Sequence, residues 1–137
     1  MNHQNTKTPW EALPPETDVV AHEIVDSAYA VHKALGPGLL ESVYEVCLAH
    51  ELNKRGIEVV RQVQLPVAYD GLRLDAGLRL DMLVARCVVV ELKAVETVLP
   101  VHHAQLLTYL KLTGHRLGLL VNFNVPLIRD GIKRIVL

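Results

Sequence analysis

The sequence feature that most constrains the fold is the stretch Leu78–Lys93, LRLDMLVARCVVVELK, in which charged residues interrupt two short apolar runs. Apolar residues on either side of positions 85–87 predict two antiparallel strands joined by a tight turn. With that turn, counting back along both strands places Asp81 opposite Glu91. Two carboxylates held side by side repel each other and lose their water, so this hairpin indicates a cation between them.

The same hairpin supplies a positive charge and further oxygen atoms. Lys93 follows Glu91 by two residues, so strand alternation puts both side chains on one face. Mg²⁺ and related hard cations prefer oxygen ligands, commonly one or two carboxylates together with water and phosphate oxygens. Asp81, Glu91 and the neighbouring main-chain carbonyl of Leu92 therefore predict a divalent metal site. Lys93 is placed to orient a water molecule or to offset developing negative charge.

Composition limits the class of protein. The chain has 137 residues, of which 50% are hydrophobic, enough for one sizeable core and too few for a second domain. A formal charge of -1 gives no support to bulk electrostatic binding of nucleic acid, so a polyanion has to be engaged at a local patch or through metal. Cys47 and Cys87 are too few for a disulfide framework. No targeting segment or membrane-spanning run is recognised, and a cytoplasmic protein is expected.

Hydrophobic periodicity predicts the element order α, α, β, β, β, α, β, β in one domain of residues 16–137. A flexible arm of residues 1–15 precedes it and carries Trp10. Helices are predicted at about 17–35, 39–55 and 101–112, and strands at 57–69, 72–84, 88–93, 117–123 and 132–137. A meander followed by a crossover helix and a buried strand indicates an α/β (α+β) fold, a mixed sheet flanked by helices. Gly77 indicates a bulge, which could change the facing of Asp81.

Two predicted helices carry further candidate residues. Glu41 lies in the first turn of the second helix, where a carboxylate either stabilises the helix N-terminus or points into a cleft. Gln105 and Tyr109 stand four residues apart on one face of the third helix, and His102 lies one turn earlier as a candidate phosphate contact. Since these groups come from separate elements, their convergence would define a site.

Asp81 and the run Glu91-Leu92-Lys93 resemble the active-site signature of the PD-(D/E)xK phosphodiesterases, an Asp ending one strand and Glu-x-Lys on the next. More narrowly, residues 38–44, GLLESVY, resemble the naming motif of the small bacterial GxxExxY family. This resemblance covers about residues 18–137 and implies a core of order αβββαβ. Gln105 and Tyr109 match a Gln-x-x-x-Tyr pair of exonuclease relatives. Leu80 departs from the pattern, because it stands where the superfamily name has Pro.

The resemblance implies Mg²⁺- or Mn²⁺-dependent hydrolysis of phosphodiester bonds in nucleic acid, with DNA favoured over RNA. It implies Lys93 at the attacking water, and Gln105 in support of Lys93 or the substrate backbone. The candidate metal ligands are Glu41, Asp81, Glu91 and Leu92, and the remaining support residues are Tyr109, His102 and Tyr44. The alternative is a catalytically silent nuclease-like fold that binds nucleic acid or a protein partner, and homodimerisation is left open.

Overall fold

The computed structural model describes residues 13–137, apart from the side chain of Ala76, so Trp10 and most of the predicted arm lie outside the described residues. The helices are α1 (Pro15–Leu35), α2 (Glu41–Lys54) and α3 (Pro100–Thr113). The strands are β1 (Val59–Tyr69), β2 (Leu72–Val84), β3 (Val88–Lys93), β4 (Leu117–Asn122) and β5 (Ile132–Val136), and a short 3-10 helix spans Ile128–Gly131. In the part described, no helix is both long and apolar enough to cross a membrane.

The five strands form one mixed sheet in the order β1-β2-β3-β4-β5. β1, β2 and β3 are a meander of antiparallel strands joined by short turns. α3 then carries the chain across, so that β4 runs parallel to β3 and β5 returns antiparallel to β4. Parallel neighbours require such a crossover connection, which explains why the apolar strand β4 is buried along its whole length.

Each face of the sheet has its own hydrophobic core. α1 and α2 cover one face, where Ile24 and Leu48 pack with Met82 and Val90 of the strands. α3 covers the other face, where Leu106 and Leu110 pack with residues that include Leu80, Val89 and Leu120. The predicted mixed sheet flanked by helices is therefore confirmed, and the helices lie on both faces.

The bulge predicted at Gly77 is present, and it does not disturb the acidic pair. The β1–β2 register shifts between Leu65, which pairs with Leu78, and Val67, which pairs with Leu74. A Cβ atom at Gly77 would lie 2.7 Å from Cγ2 of Val67, so the close approach explains the glycine. The bulge is complete before Asp81 is reached.

Two details of the predicted helices are wrong. α1 was predicted from about residue 17, but the helix begins two residues earlier with Pro14 as N-cap, and Thr17 is buried. α2 was predicted from about residue 39, but Leu40 precedes the helix and is 74% exposed, and Val43 in its first turn is 37% exposed. The helix begins only at Glu41, because the preceding glycine-rich turn extends to Leu40, which is the N-cap.

Tyr44 holds that turn in place. Its hydroxyl donates to the carbonyl of Gly36 at 2.6 Å and accepts the N–H of Leu39 at 3.1 Å. The ring is fully buried and stacks on Phe123, with ring centroids 4.5 Å apart and planes inclined by 4°. Tyr44 thereby fixes the point at which the chain enters α2, where Glu41 is the first residue.

We expect the substitution Tyr44→Phe to lower the free energy of unfolding by about 0.5–1.5 kcal/mol, because the ring stays while the carbonyl of Gly36 and the N–H of Leu39 lose their hydrogen bonds to the hydroxyl. Tyr29→Phe is the matched control, since Tyr29 is 45% exposed on α1 and should change stability by less than about 0.5 kcal/mol. Urea unfolding followed by circular dichroism measures both. Equal stabilities of the two variants would contradict the role of the Tyr44 hydroxyl.

Candidate active site

The site begins where β2 and β3 stop pairing. Ladder pairs join Val84 to Val88, Leu83 to Val89 and Met82 to Val90, and none is formed further along. Beyond that point, the acidic side chains replace the backbone ladder. The N–H of Leu92 donates to Oδ2 of Asp81 at 2.9 Å, and the N–H of Asp81 lies 3.4 Å from Oε2 of Glu91. Each carboxylate is thus fixed by the main chain of the opposite strand.

A cavity of about 310 Å³ opens at this divergence. Its walls come from α2, β2, β3 and α3, so both helical layers contribute to it. The lining residues are Glu41, Arg79, Asp81, Glu91, Lys93, Gln105 and Tyr109. The structure therefore brings together six of the residues singled out in the sequence, whose chemical roles remain predictions.

Burial dominates the electrostatics of the acidic pair. The Glu91 side chain is almost inaccessible to water, and loss of hydration raises its pKa from 4.5 to about 9. The hydrogen bond with Asp81 and its negative charge act in the same direction, and Lys93 opposes them less strongly. Burial, followed by the charge of Asp81, also raises the pKa of Glu41. Without a cation, Glu91 is therefore held in its protonated form at neutral pH.

Lys93 ends β3 as a half-buried residue, and its backbone is fixed by the neighbouring strand. The N–H of Phe123 donates to the carbonyl of Lys93 at 3.0 Å. Buried Asn122 clamps the loop that follows, because its amide accepts the N–H of Val95 at 3.1 Å and donates to the carbonyl of Val95 at 2.9 Å. Sequence reasoning missed Asn122, although a polar residue ending an apolar strand was the signal.

Gln105 and Tyr109 are in contact on one face of α3, as their spacing predicted. Nε2 of Gln105 donates to the Tyr109 hydroxyl at 2.9 Å, and both residues line the cavity beside Lys93. Burial, followed by the charges of Glu91 and Asp81, raises the pKa of Tyr109, so its hydroxyl stays protonated.

His102 lies outside this cavity. Its Nδ1 accepts the N–H of Leu99 at 3.0 Å and so satisfies a free donor at the start of α3. It lines an adjacent cavity of about 570 Å³, which shares Lys93 and Gln105 with the first. A phosphate contact of His102 is therefore limited to this neighbouring space.

Tyr44 and Leu92 affect the site through hydrogen bonds that involve main-chain atoms. Tyr44 is fully buried and supports the turn before Glu41 without lining the cavity. Leu92 buries its side chain but directs its N–H at Asp81. Since the N–H and C=O of a strand residue point towards the same neighbouring strand, the Leu92 carbonyl also faces the gap between β2 and β3.

Arg79 is a lining residue that was not among the predicted site residues. It precedes Asp81 by two residues, and this spacing was the available signal for a shared face. Its guanidinium, together with the ammonium of Lys93, lowers the pKa of Glu41 against the stronger effect of burial. Two cations and three carboxylates therefore line one cavity.

Within residues 13–137, no three His, Cys, Asp or Glu side chains come together as a ready-made metal site. The close pair is Asp81 and Glu91, and Glu41 is the third carboxylate on the cavity wall. Such a donor set matches the one or two carboxylates by which Mg²⁺ is usually held, with water and substrate oxygens as the other ligands.

These features define a class: a mixed α/β domain in which carboxylates and a lysine line one cavity where two neighbouring strands stop pairing. A family model described as the PD-(D/E)XK nuclease superfamily matches residues 18–135, and the chain belongs to this superfamily. No match is found among curated proteins or among solved structures. The predicted superfamily is confirmed, and its members generally use divalent metals.

The raised pKa of Glu91 predicts how the stability of the metal-free protein depends on pH. The folded state holds a proton up to about pH 9, whereas the unfolded chain releases it near pH 4.5. This contribution to stability is therefore complete below pH 4.5 and is lost as the pH rises through 9.

We expect the melting temperature of the parent to fall between pH 5 and pH 9 more steeply than that of Glu91→Gln, whose amide does not titrate. Thermal melts in EDTA, in steps of one pH unit, measure the difference, because other titrating groups are common to both proteins. Identical slopes would contradict the protonation of Glu91.

Proposed function

We propose that the protein is a divalent-metal-dependent nuclease that hydrolyses phosphodiester bonds in nucleic acid, with DNA ahead of RNA as the expected substrate. The observation that carries the proposal is the acidic pair of half-buried Asp81 and buried Glu91, which lies in one cavity with Lys93. A preference for DNA comes from the family resemblance. The GLLESVY motif at residues 38–44 supports a place in the GxxExxY family within the superfamily.

The acidic pair suits Mg²⁺ or Mn²⁺ on chemical grounds. Among the described side chains, neither Asp81 nor Glu91 forms an ion pair, and both are held by main-chain N–H groups. Burial disfavours the charged form of Glu91, and a bound cation would offset that cost by taking the place of its proton. Asp81, Glu91 and the carbonyl of Leu92 would hold the ion, and Glu41 would add negative charge. When bound, the ion supplies polarisation of a phosphoryl oxygen and a lower pKa of water.

The remaining groups act on the substrate and the attacking water. Lys93 presents an ammonium that donates hydrogen bonds to a water or a phosphate oxygen and stabilises developing negative charge. Lys93 is half-buried in the cavity wall and forms no ion pair with a described residue, so its ammonium is available. Gln105 and Tyr109, joined by their hydrogen bond, offer a polar edge that orients Lys93 or the substrate backbone.

Replacing Lys93 by Ala should reduce the cleavage rate by about 10²- to 10³-fold, because the transition state loses its stabilising charge. Mn²⁺ affinity should stay within about threefold of the parent, since the carboxylates remain. Asp81→Ala should instead weaken Mn²⁺ binding by more than about tenfold, because it removes a proposed direct ligand. Removal of a residue that only supports a ligand already costs about 10- to 100-fold in metal affinity. Cleavage assays and isothermal titration calorimetry measure the two quantities.

The matched control is Lys133→Ala, which removes an exposed lysine of β5 outside the cavity. Its cleavage rate should equal that of the parent. The substrates are single-stranded, duplex and branched DNA, and the corresponding RNAs, each with Mg²⁺ and with Mn²⁺. Absence of cleavage across this set, together with absence of Mn²⁺ binding by the parent, would refute the proposed function.

A formal charge of -1 favours a second candidate, a catalytically silent module that binds nucleic acid or a protein partner, alone or as a homodimer. The two candidates differ in the behaviour of Lys93. A silent module binds its partner equally well with Lys93→Ala and shows no metal-dependent turnover. Sedimentation of the parent measures the oligomeric state.

A further inference from the structure

The face that β2 presents to the helices changes at Asp81. Leu80 belongs to the core under α3, whereas Met82 belongs to the core under α1 and α2. Residues two apart on a regular strand lie on one face, so the strand must twist sharply between them. β1 changes with it, because Val59 packs in the first core and Val63 in the second.

An irregular residue lies at the same level of the opposite strand, at Gln62. The register pairs Arg61 with Met82 and Val63 with Leu80, which leaves Gln62 opposite Asp81. Gln62 has a φ of 53°, a left-handed conformation that non-glycine residues seldom adopt and that a regular strand does not contain. No other residue between Val59 and Tyr69 has a positive φ. The irregular backbone thus sits directly across from a candidate metal ligand.

A buried carboxylate on α2 is hydrogen-bonded to Gln62. Glu45 is 5% exposed, and its Oε1 accepts a hydrogen bond from Nε2 of Gln62 at 2.8 Å. Its Oε2 accepts from Nε of Arg61 at 2.9 Å, so both oxygens are engaged by adjacent residues of β1. Charge-assisted hydrogen bonds of this kind are among the strong ones.

Glu45 also lies one helical turn after Glu41 on α2. The same carboxylate therefore ties the helix that carries Glu41 to the strand that faces Asp81. Backbone held in a sparsely populated conformation persists only where surrounding contacts over-determine it, and it is concentrated at functional sites.

We propose that Gln62 is a positioning residue: its left-handed backbone, which the bond to Glu45 supports and which glycine adopts without that bond, twists the β1–β2 pair so that Asp81 turns out of the sheet and into the cavity. This inference rests on the proposed function for its metal readout. It also makes a claim about Asp81 that is independent of metal, because the position of Asp81 determines its bond to the N–H of Leu92.

The test compares three substitutions. Gln62→Val places a β-branched side chain where φ is positive, which disfavours the observed backbone. Gln62→Gly removes the side chain but accepts positive φ freely. Gln64→Val is the matched control, since Gln64 is the same residue type, exposed, two positions along β1 and regularly paired with Arg79. Circular dichroism and thermal melting confirm that each variant is folded.

With metal, we expect Gln62→Val to lose about 10- to 100-fold in Mn²⁺ affinity by calorimetry, the range found when outer-shell partners are removed. Gln62→Gly and Gln64→Val should remain within about threefold of the parent. Equal affinities of Gln62→Val and Gln64→Val would overturn the proposal. So would an equal loss in Gln62→Val and Gln62→Gly, which would assign the effect to the side chain alone.

Without metal, amide hydrogen exchange of Leu92 reports the same geometry by NMR. Its protection should fall in Gln62→Val and stay at the parent level in Gln62→Gly and Gln64→Val. A parent that binds no Mn²⁺ refutes the proposed function, whereas unchanged Leu92 protection in Gln62→Val refutes the positioning role. If Gln62→Val does not fold, Gln62→Ala takes its place. Equal protection of the Leu92 amide in Gln62→Ala and Gln62→Gly would then overturn the proposal.

Discussion

The carboxylate of Asp81 replaces a backbone hydrogen bond between β2 and β3, and the rest of the site depends on this substitution. By accepting the N–H of Leu92, it lets the two strands separate without leaving a buried donor unsatisfied. The separation opens the sheet, and side chains from both helical layers reach the same cavity. The residue that opens the cavity is thus also one of its charged groups.

Two buried polar residues support the backbone on either side of this opening. Tyr44 fixes the turn that leads to Glu41, and Asn122 fixes the loop that follows Lys93. Both are buried, and their hydrogen bonds are made to main-chain atoms. Positioning of charged groups to within a fraction of an ångström requires such support, because exposed side chains alone retain rotamer freedom.

Local patterns predicted the elements and the acidic pair, because each depends on short-range rules. Alternation and turn chemistry determined the hairpin register, and helical spacing brought Gln105 to Tyr109. The contribution of Tyr44 was not predictable in the same way, because its hydroxyl bonds backbone atoms whose approach depends on the turn itself.

The pairing of Glu45 with Gln62 was also beyond sequence reasoning. It joins a helix to a strand through a left-handed backbone, for which a glutamine gives no signal, since glycine, asparagine and aspartate are the usual residues there. The start of α2 was misplaced because the glycine-rich turn extends to Leu40, a boundary that no residue type marks.

The irregularity at Gln62 has a consequence for the outer border of the sheet. β1 is an edge strand, and unpaired edges invite edge-to-edge association and amyloid-like growth. A left-handed residue at 62 and Pro66 four positions later interrupt the row of donors and acceptors that an incoming strand requires. On the opposite border, Lys133 and Arg134 of β5 add charge. The backbone irregularity that we propose to shape the cavity thereby also makes β1 a poor template for an incoming strand.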